Sequence, residues 1–317
     1  MKILITVLVL FSLLMGSANA QEFTSKELTI KSDGYELGAT LDIPKADVIA
    51  TVLIVPGSGQ VDRNGPPVAA TKKDLDNAKE ETQNVKAYEA WGHELAESKV
   101  ACLRYDKRAL QIGMKEIFTF SQENQIDDLV AGIKLLKQQP EIDSTRIFLL
   151  GHSEGGNLVV EAALREKVAG VIISNGTAIA IDSLFMTQLE LNANLSSKKL
   201  EKIQDKFNRL RDGSLPDKEL LPGACKPYWG QWVDMFDNLD STLSLLNCPV
   251  LVQLAESDEN FPGETNAENI KRWKHFGRQK HITVVTYKGR GHSMDAKTEE
   301  SDANNPIQDI VEWFVGG

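Results

Sequence analysis

The stretch Arg146–Gly156 reads RIFLLGHSEGG, an apolar strand pattern, a turn crowded with glycines and the start of a helix. The pattern G-x-S-x-G is weak by itself, because glycine is a common residue. Its setting strengthens it. Strand Arg146–Leu150 precedes it and an amphipathic helix, Gly155–Glu166, follows, as a nucleophile elbow requires. So sharp a turn leaves no room for a Cβ at its flanks and pushes Ser153 out at the carboxyl end of a sheet. There the N-terminus of the helix favours developing negative charge.

Working outward, KELTIK (26–31) and YELGATLDIP (35–44) alternate in polarity around Ser32-Asp33-Gly34 and predict a β-hairpin. Strands follow at Thr51–Val55, Val100–Tyr105, Arg146–Leu150, Val168–Ser174, Pro249–Leu254 and Ile282–Tyr287. Helices are predicted at Val85–Ser98, Gln125–Gln139, Glu264–Phe276 and Pro306–Val315 from their apolar spacing. Near-continuous apolar strands separated by helices indicate a mostly parallel sheet with helices on both faces, an α/β fold. The alternation breaks after Asn175. A helical insertion at about 178–230 is too long for an ordinary connection and predicts a cap.

A serine hydroxyl needs a base to take its proton and an acid to fix that base's tautomer. In this strand–turn–helix setting the acid and then the histidine follow the serine in the chain. Of five histidines, His292 sits in Gly289-Arg290-Gly291-His292-Ser293, just past the strand ITVVTY, where a loop reaches back over the sheet edge. Asp258 lies four residues past the strand PVLVQL, with Glu256 and Glu259 as neighbours and Asp182 as the other topologically allowed acid. His152 adjoins the nucleophile but points elsewhere on a tight turn.

Residues 1–20 carry a short basic start, an apolar run and Ser17-Ala18-Asn19-Ala20, the layout of a secretory signal peptide cleaved after Ala20. The expectation is a secreted or periplasmic mature domain, residues 21–317, without a membrane association once the signal is removed. Lys+Arg 35 against Asp+Glu 45 gives a net charge of −10. Without basic blocks, that balance argues against nucleic acid as partner. Cys102, Cys225 and Cys248 allow at most one disulfide and form no metal pattern. Nothing in the pattern implies a cofactor or a metal, and nothing specifies an oligomeric state.

GHSEGG, CPVLVQLAESDENFP and KGRGHS resemble the elbow, acid and histidine segments of the α/β-hydrolase superfamily, across nearly the whole mature chain. PGSGQVDRNG (56–65) and RYDKR (104–108) look like a bacterial esterase branch related to serine aminopeptidases and dienelactone hydrolases. The chain departs from that branch at Pro56, where histidine is commonest, and at Ala109-Leu110-Gln111, where glycines usually follow YDKR.

The resemblance implies a Ser153–Asp258–His292 triad acting through an acyl-enzyme on small or medium carboxylic esters. It also implies an oxyanion hole from the backbone N–H groups of Ser58 and Glu154. Alternatives are a serine aminopeptidase, an acyl thioesterase, or a catalytically inactive binding protein of the same fold. Tyr228, Trp229 and Trp232 are expected to wall an apolar acyl pocket or to pack cap on core. Asp62 is expected to pair with Arg108, because both leave adjacent strands at the same end of the sheet.

Overall fold

The computed structural model describes residues 22–66, 86–192 and 195–316. The expected signal segment and the start of the helix expected at Val85 lie outside them. Eight strands of the described residues form one sheet. Strands β1 (Phe23–Ser32) and β2 (Tyr35–Pro44) form the expected hairpin and join β4 (Val100–Tyr105) antiparallel. From β4 onward the sheet is parallel: β3 (Ala50–Val55), β5 (Ile147–His152), β6 (Gly170–Ser174), β9 (Val250–Ala255) and β10 (Ile282–Tyr287). Every residue of β3, β4, β5, β6 and β9 is buried, as strands covered on both faces must be.

The period of two divides each strand between two cores. Val52 and Ile54 face α1 (Ala87–Glu97) and α9 (Pro306–Gly316), with Tyr88, Trp91, Ile310 and Phe314 among their neighbours. Leu53 and Val55 belong to the opposite core with α2 (Gln122–Lys137), α3 (Gly155–Arg165) and α8 (Thr265–Phe276), which contribute Leu129, Leu158 and Trp273. A capping box of Ser121 and Asn124 starts α2 three residues earlier than the apolar pattern suggests.

Between β6 and β9 the chain makes a helical excursion: α4 (Ile181–Asn192), α5 (Ser197–Arg211), α6 (Lys226–Asp237) and α7 (Leu239–Ser244). The boundary anticipated at 230 falls inside α6, so the excursion runs on to Ser244. It also contains a two-stranded ribbon, β7 (Leu220–Leu221) and β8 (Ala224–Cys225), too short to leave an alternation in the sequence. Phe185, Phe207, Trp229 and Trp232 pack as a ring cluster inside it, with Trp229 and Trp232 stacked at 5.5 Å.

Candidate active site

The turn between β5 and α3 holds Ser153 at φ 55°, in the left-handed region. That conformation costs an L-residue about 1–2 kcal/mol and is kept only where the surroundings enforce it. The close packing of the turn supplies the enforcement. A Cβ on Gly151 would lie 2.2 Å from the Gly155 carbonyl oxygen, and one on Gly155 would lie 2.4 Å from the Val55 carbonyl oxygen. The Ser153 N–H donates to the Ser174 carbonyl on β6 at 2.9 Å, which closes the turn against the sheet.

Asp258 and His292 come together from two loops at the same sheet end, as the sequence suggests. His292 Nδ1 lies 2.9 and 2.8 Å from the two Asp258 carboxylate oxygens, and both side chains are buried. That leaves Nε2 as the other ring nitrogen, on a side chain lining the same cavity as Ser153. Glu259 accepts the backbone N–H of His292 at 3.0 Å and pairs with Lys297, so it supports the loop while Asp258 faces the ring. Asp182 is held by Arg211 inside the cap, and Glu256 is exposed. Geometry therefore separates the four acids that order along the chain leaves open.

Gly57 abuts the serine: a Cβ there would stand 3.2 Å from Ser153 Cβ. Among the described residues, the Ser58 and Glu154 amides donate to no other protein group, and both residues line the cavity that holds Ser153. The expected Asp62–Arg108 pair does not form. Arg108 is buried and taken by Asp128 of α2 at 3.0 and 2.5 Å, with Asp33 at 3.1 Å. Asp62 instead accepts the backbone N–H groups of Asn64 and Gly65, closing its own turn. The two motifs are joined through other residues, since Arg63 grips Asp106 with three bonds of 2.8–3.1 Å.

Other contacts at the site are not announced by the motifs their residues sit in. Gly57 N–H donates to the Tyr88 hydroxyl (3.0 Å), which donates to His152 Nδ1 (2.8 Å), and His152 Nε2–H donates to the His292 carbonyl (2.9 Å). The direction is set by the two ends, because a backbone N–H only donates and a carbonyl only accepts. Burial, with the neighbouring His292 adding to it, lowers the His152 pKa to about 3, so the ring stays neutral. Asn175, at φ 49°, donates to the carbonyls of Gly291 and His292 and accepts the N–H of Ala255. It thus ties the end of β6 to both the histidine loop and the strand bearing the acid.

A third set is ionic. Lys107 Nζ donates to the Gly57 carbonyl and to Glu154 Oε2, each at 2.7 Å. Glu154 Oε1 accepts from Gln122 (2.7 Å), Gln125 (3.2 Å) and the Tyr228 hydroxyl of α6 (2.5 Å). Burial pushes the Glu154 carboxyl up, but the Lys107 ammonium and these donors outweigh it and hold it below its ordinary value.

A cavity of about 660 Å³ opens over Ser153 and His292, walled by Ile117, Phe120, Leu184, Phe185, Trp229 and Trp232. Tyr228 lines it as well, so all three cap aromatics expected at the site face this space. A second, more polar cavity of about 500 Å³ shares Ser58, Gln60, Ser153, Asn260 and His292 with the first. Among the described residues no group of three or more His, Cys, Asp or Glu side chains is placed to hold a metal ion, and the three cysteines are free thiols. No described helix is long and apolar enough to cross a membrane.

The parallel sheet and the elbow on β5 define an α/β-hydrolase fold. The chain belongs to the BAAT / acyl-CoA thioester hydrolase C-terminal family, whose model matches residues 130–297, just over half of it. Over 310 residues it is 24% identical to the esterase EstD of Thermotoga maritima, covering 93% of this chain and 68% of that one. Est1E from Butyrivibrio proteoclasticus has a similar structure, at 18% identity and a TM-score of 0.56, covering 92% of this chain and 99% of that chain. A dienelactone hydrolase from Anabaena variabilis is also similar, at 14% identity and a TM-score of 0.54, covering 93% and 98% of the two chains.

Proposed function

We propose that the protein is a serine carboxylester hydrolase acting on small or medium acyl esters. The observation that carries the reading is the strained Ser153 at φ 55° sharing an apolar cavity with a His292 held by Asp258. Ser153 Oγ attacks the acyl carbon while His292 Nε2 takes its proton, and Asp258 holds Nδ1–H and stabilises the imidazolium. The carbonyl oxygen becomes an oxyanion that accepts from the Ser58 and Glu154 amides, aided by the N-terminus of α3. As the tetrahedral intermediate collapses, the alcohol leaves with the proton from His292. Water then attacks the acyl-enzyme with His292 again as base, releasing the acid. The apolar cavity suits the acyl chain and the polar one suits the leaving group. EstD, which is named an esterase, supports this choice of substrate.

A second reading, acyl thioester hydrolysis, is favoured by the family description. The two differ only in leaving group, and one panel separates them. The esterase reading expects kcat/KM on p-nitrophenyl esters of two to eight acyl carbons to exceed that on acyl-CoA thioesters and aminoacyl-anilides. A preference for acyl-CoA of more than tenfold replaces it with the second reading.

A further inference from the structure

The two oxyanion donors are backbone amides, and a backbone amide points only where its peptide plane is held. The Ser58 N–H belongs to the same peptide unit as the Gly57 carbonyl, and in a trans peptide the two point in opposite directions. The Gly57 carbonyl is the acceptor for Lys107 Nζ at 2.7 Å. The second donor, Glu154 N–H, belongs to the residue whose carboxylate takes the same ammonium at 2.7 Å. The Lys107 side chain is 3% exposed and that of Glu154 is 0% exposed, so water cannot substitute for either partner.

We propose that Lys107 is the positioning residue of the oxyanion hole. It draws the Gly57 carbonyl away from the reacting centre and so aims the Ser58 N–H into it, and it anchors the Glu154 side chain below the elbow. The Gly57 N–H is pinned separately by the Tyr88 hydroxyl, so the peptide before Gly57 is set without Lys107, whereas the peptide after it depends on the lysine. Nothing else among the described residues holds that carbonyl. Two of the three ammonium donors are taken by these contacts, and in this role Lys107 acts through the Gly57–Ser58 peptide rather than on the substrate. The inference rests on the serine-ester reading and adds to it the residue on which the transition-state site depends.

The test compares wild type with Lys107→Met and with the double variant Lys107→Met/Glu154→Gln. The double variant leaves no charge buried alone and keeps the protein folded should the single variant unfold. Two quantities are read: kcat and KM on p-nitrophenyl butyrate, and the inhibition constant of an alkyl trifluoromethyl ketone. The ketone carbon bonds to Ser153 Oγ, the carbonyl electron pair moves to oxygen, and the serine proton passes to His292. The adduct therefore carries an oxyanion that the substrate ground state lacks. The folded double variant is expected to lose about a hundredfold to a thousandfold in kcat, the scale of losing one oxyanion donor. KM should stay within about threefold, and ketone affinity should fall in proportion to kcat/KM. A folded double variant with wild-type kcat and wild-type ketone affinity overturns the role of Lys107. Wild-type protein that neither turns over the ester nor binds the ketone overturns the serine-ester reading itself.

Discussion

At the residue scale, His152 and Lys107 show two ways of using a buried polar group near Ser153. His152 is neutral and relays hydrogen bonds between the loop after β3 and the loop bearing His292, whereas Lys107 is paired with Glu154. The pKa of His152, about 3 against an ordinary 6.5, makes its contribution to stability depend on pH. Below about pH 6.5 the unfolded chain takes up a proton that the folded chain refuses until pH falls to about 3. Stability is therefore lost as pH decreases through that window, at up to about 1.4 kcal/mol per pH unit for this one group. His152→Asn removes the titration, so its unfolding free energy should fall less steeply between pH 6 and pH 4, by about one proton. Denaturation curves across that range check this, and equal slopes for the two proteins contradict it. Glu154 acts at lower pH. Held below its ordinary 4.5, it contributes stability above that value and loses it as pH falls through its lowered one.

At the element scale, the strands position the site and their ends hold it together. Asn175 follows β6 and makes three bonds, one with the last residue of β9 and two with the loop after β10, so it sets the distance between the Asp258 loop and the His292 loop. Asn175→Gly keeps the left-handed backbone free of strain and removes only the side-chain amide. With His292 as the proposed base, a small misplacement is costly, so kcat should fall by about tenfold to a hundredfold while the variant stays folded. Steady-state kinetics beside a thermal melt check this, and unchanged kcat in Asn175→Gly contradicts it. The elbow on β5, the hairpin and the six parallel strands are legible in the sequence because each leaves a local pattern, in alternation, apolar runs or paired glycines. Asn175 leaves none, since its partners lie 80, 116 and 117 positions away and nothing in its neighbours announces them.

At the scale of the whole molecule, the sheet collects groups from distant parts of the chain at one edge, and pairing there follows space rather than order. Asp33, Asp62, Asp106 and Asp128 all stand near the segment Lys107-Arg108 or the loop after β3. Spacing alone does not say which carboxylate meets which cation. Arg108 takes Asp128 because α2 packs against the hairpin and brings that carboxylate into the buried pocket, while Asp62 is used by its own turn. The same reasoning explains why Ser153, Asp258 and His292 are legible and the contacts around them are not. Ser153, Asp258 and His292 follow a chain order that the fold enforces. Lys107 meets Glu154 across 47 positions and Tyr88 meets His152 across 64, through contacts that only the closed sheet creates. The cap adds a last long-range link, for Tyr228 reaches Glu154 and lines the cavity at once.

If Ser153 is the activated nucleophile proposed above, a covalent serine-directed reagent must find it. Wild type and Ser153→Ala are treated with an alkyl fluorophosphonate and analysed by intact mass and peptide mapping. One adduct per wild-type chain is expected, on the peptide containing Ser153, with fluoride displaced, and none in Ser153→Ala. A wild-type chain that takes no label, or a Ser153→Ala chain that takes it equally, would contradict the account.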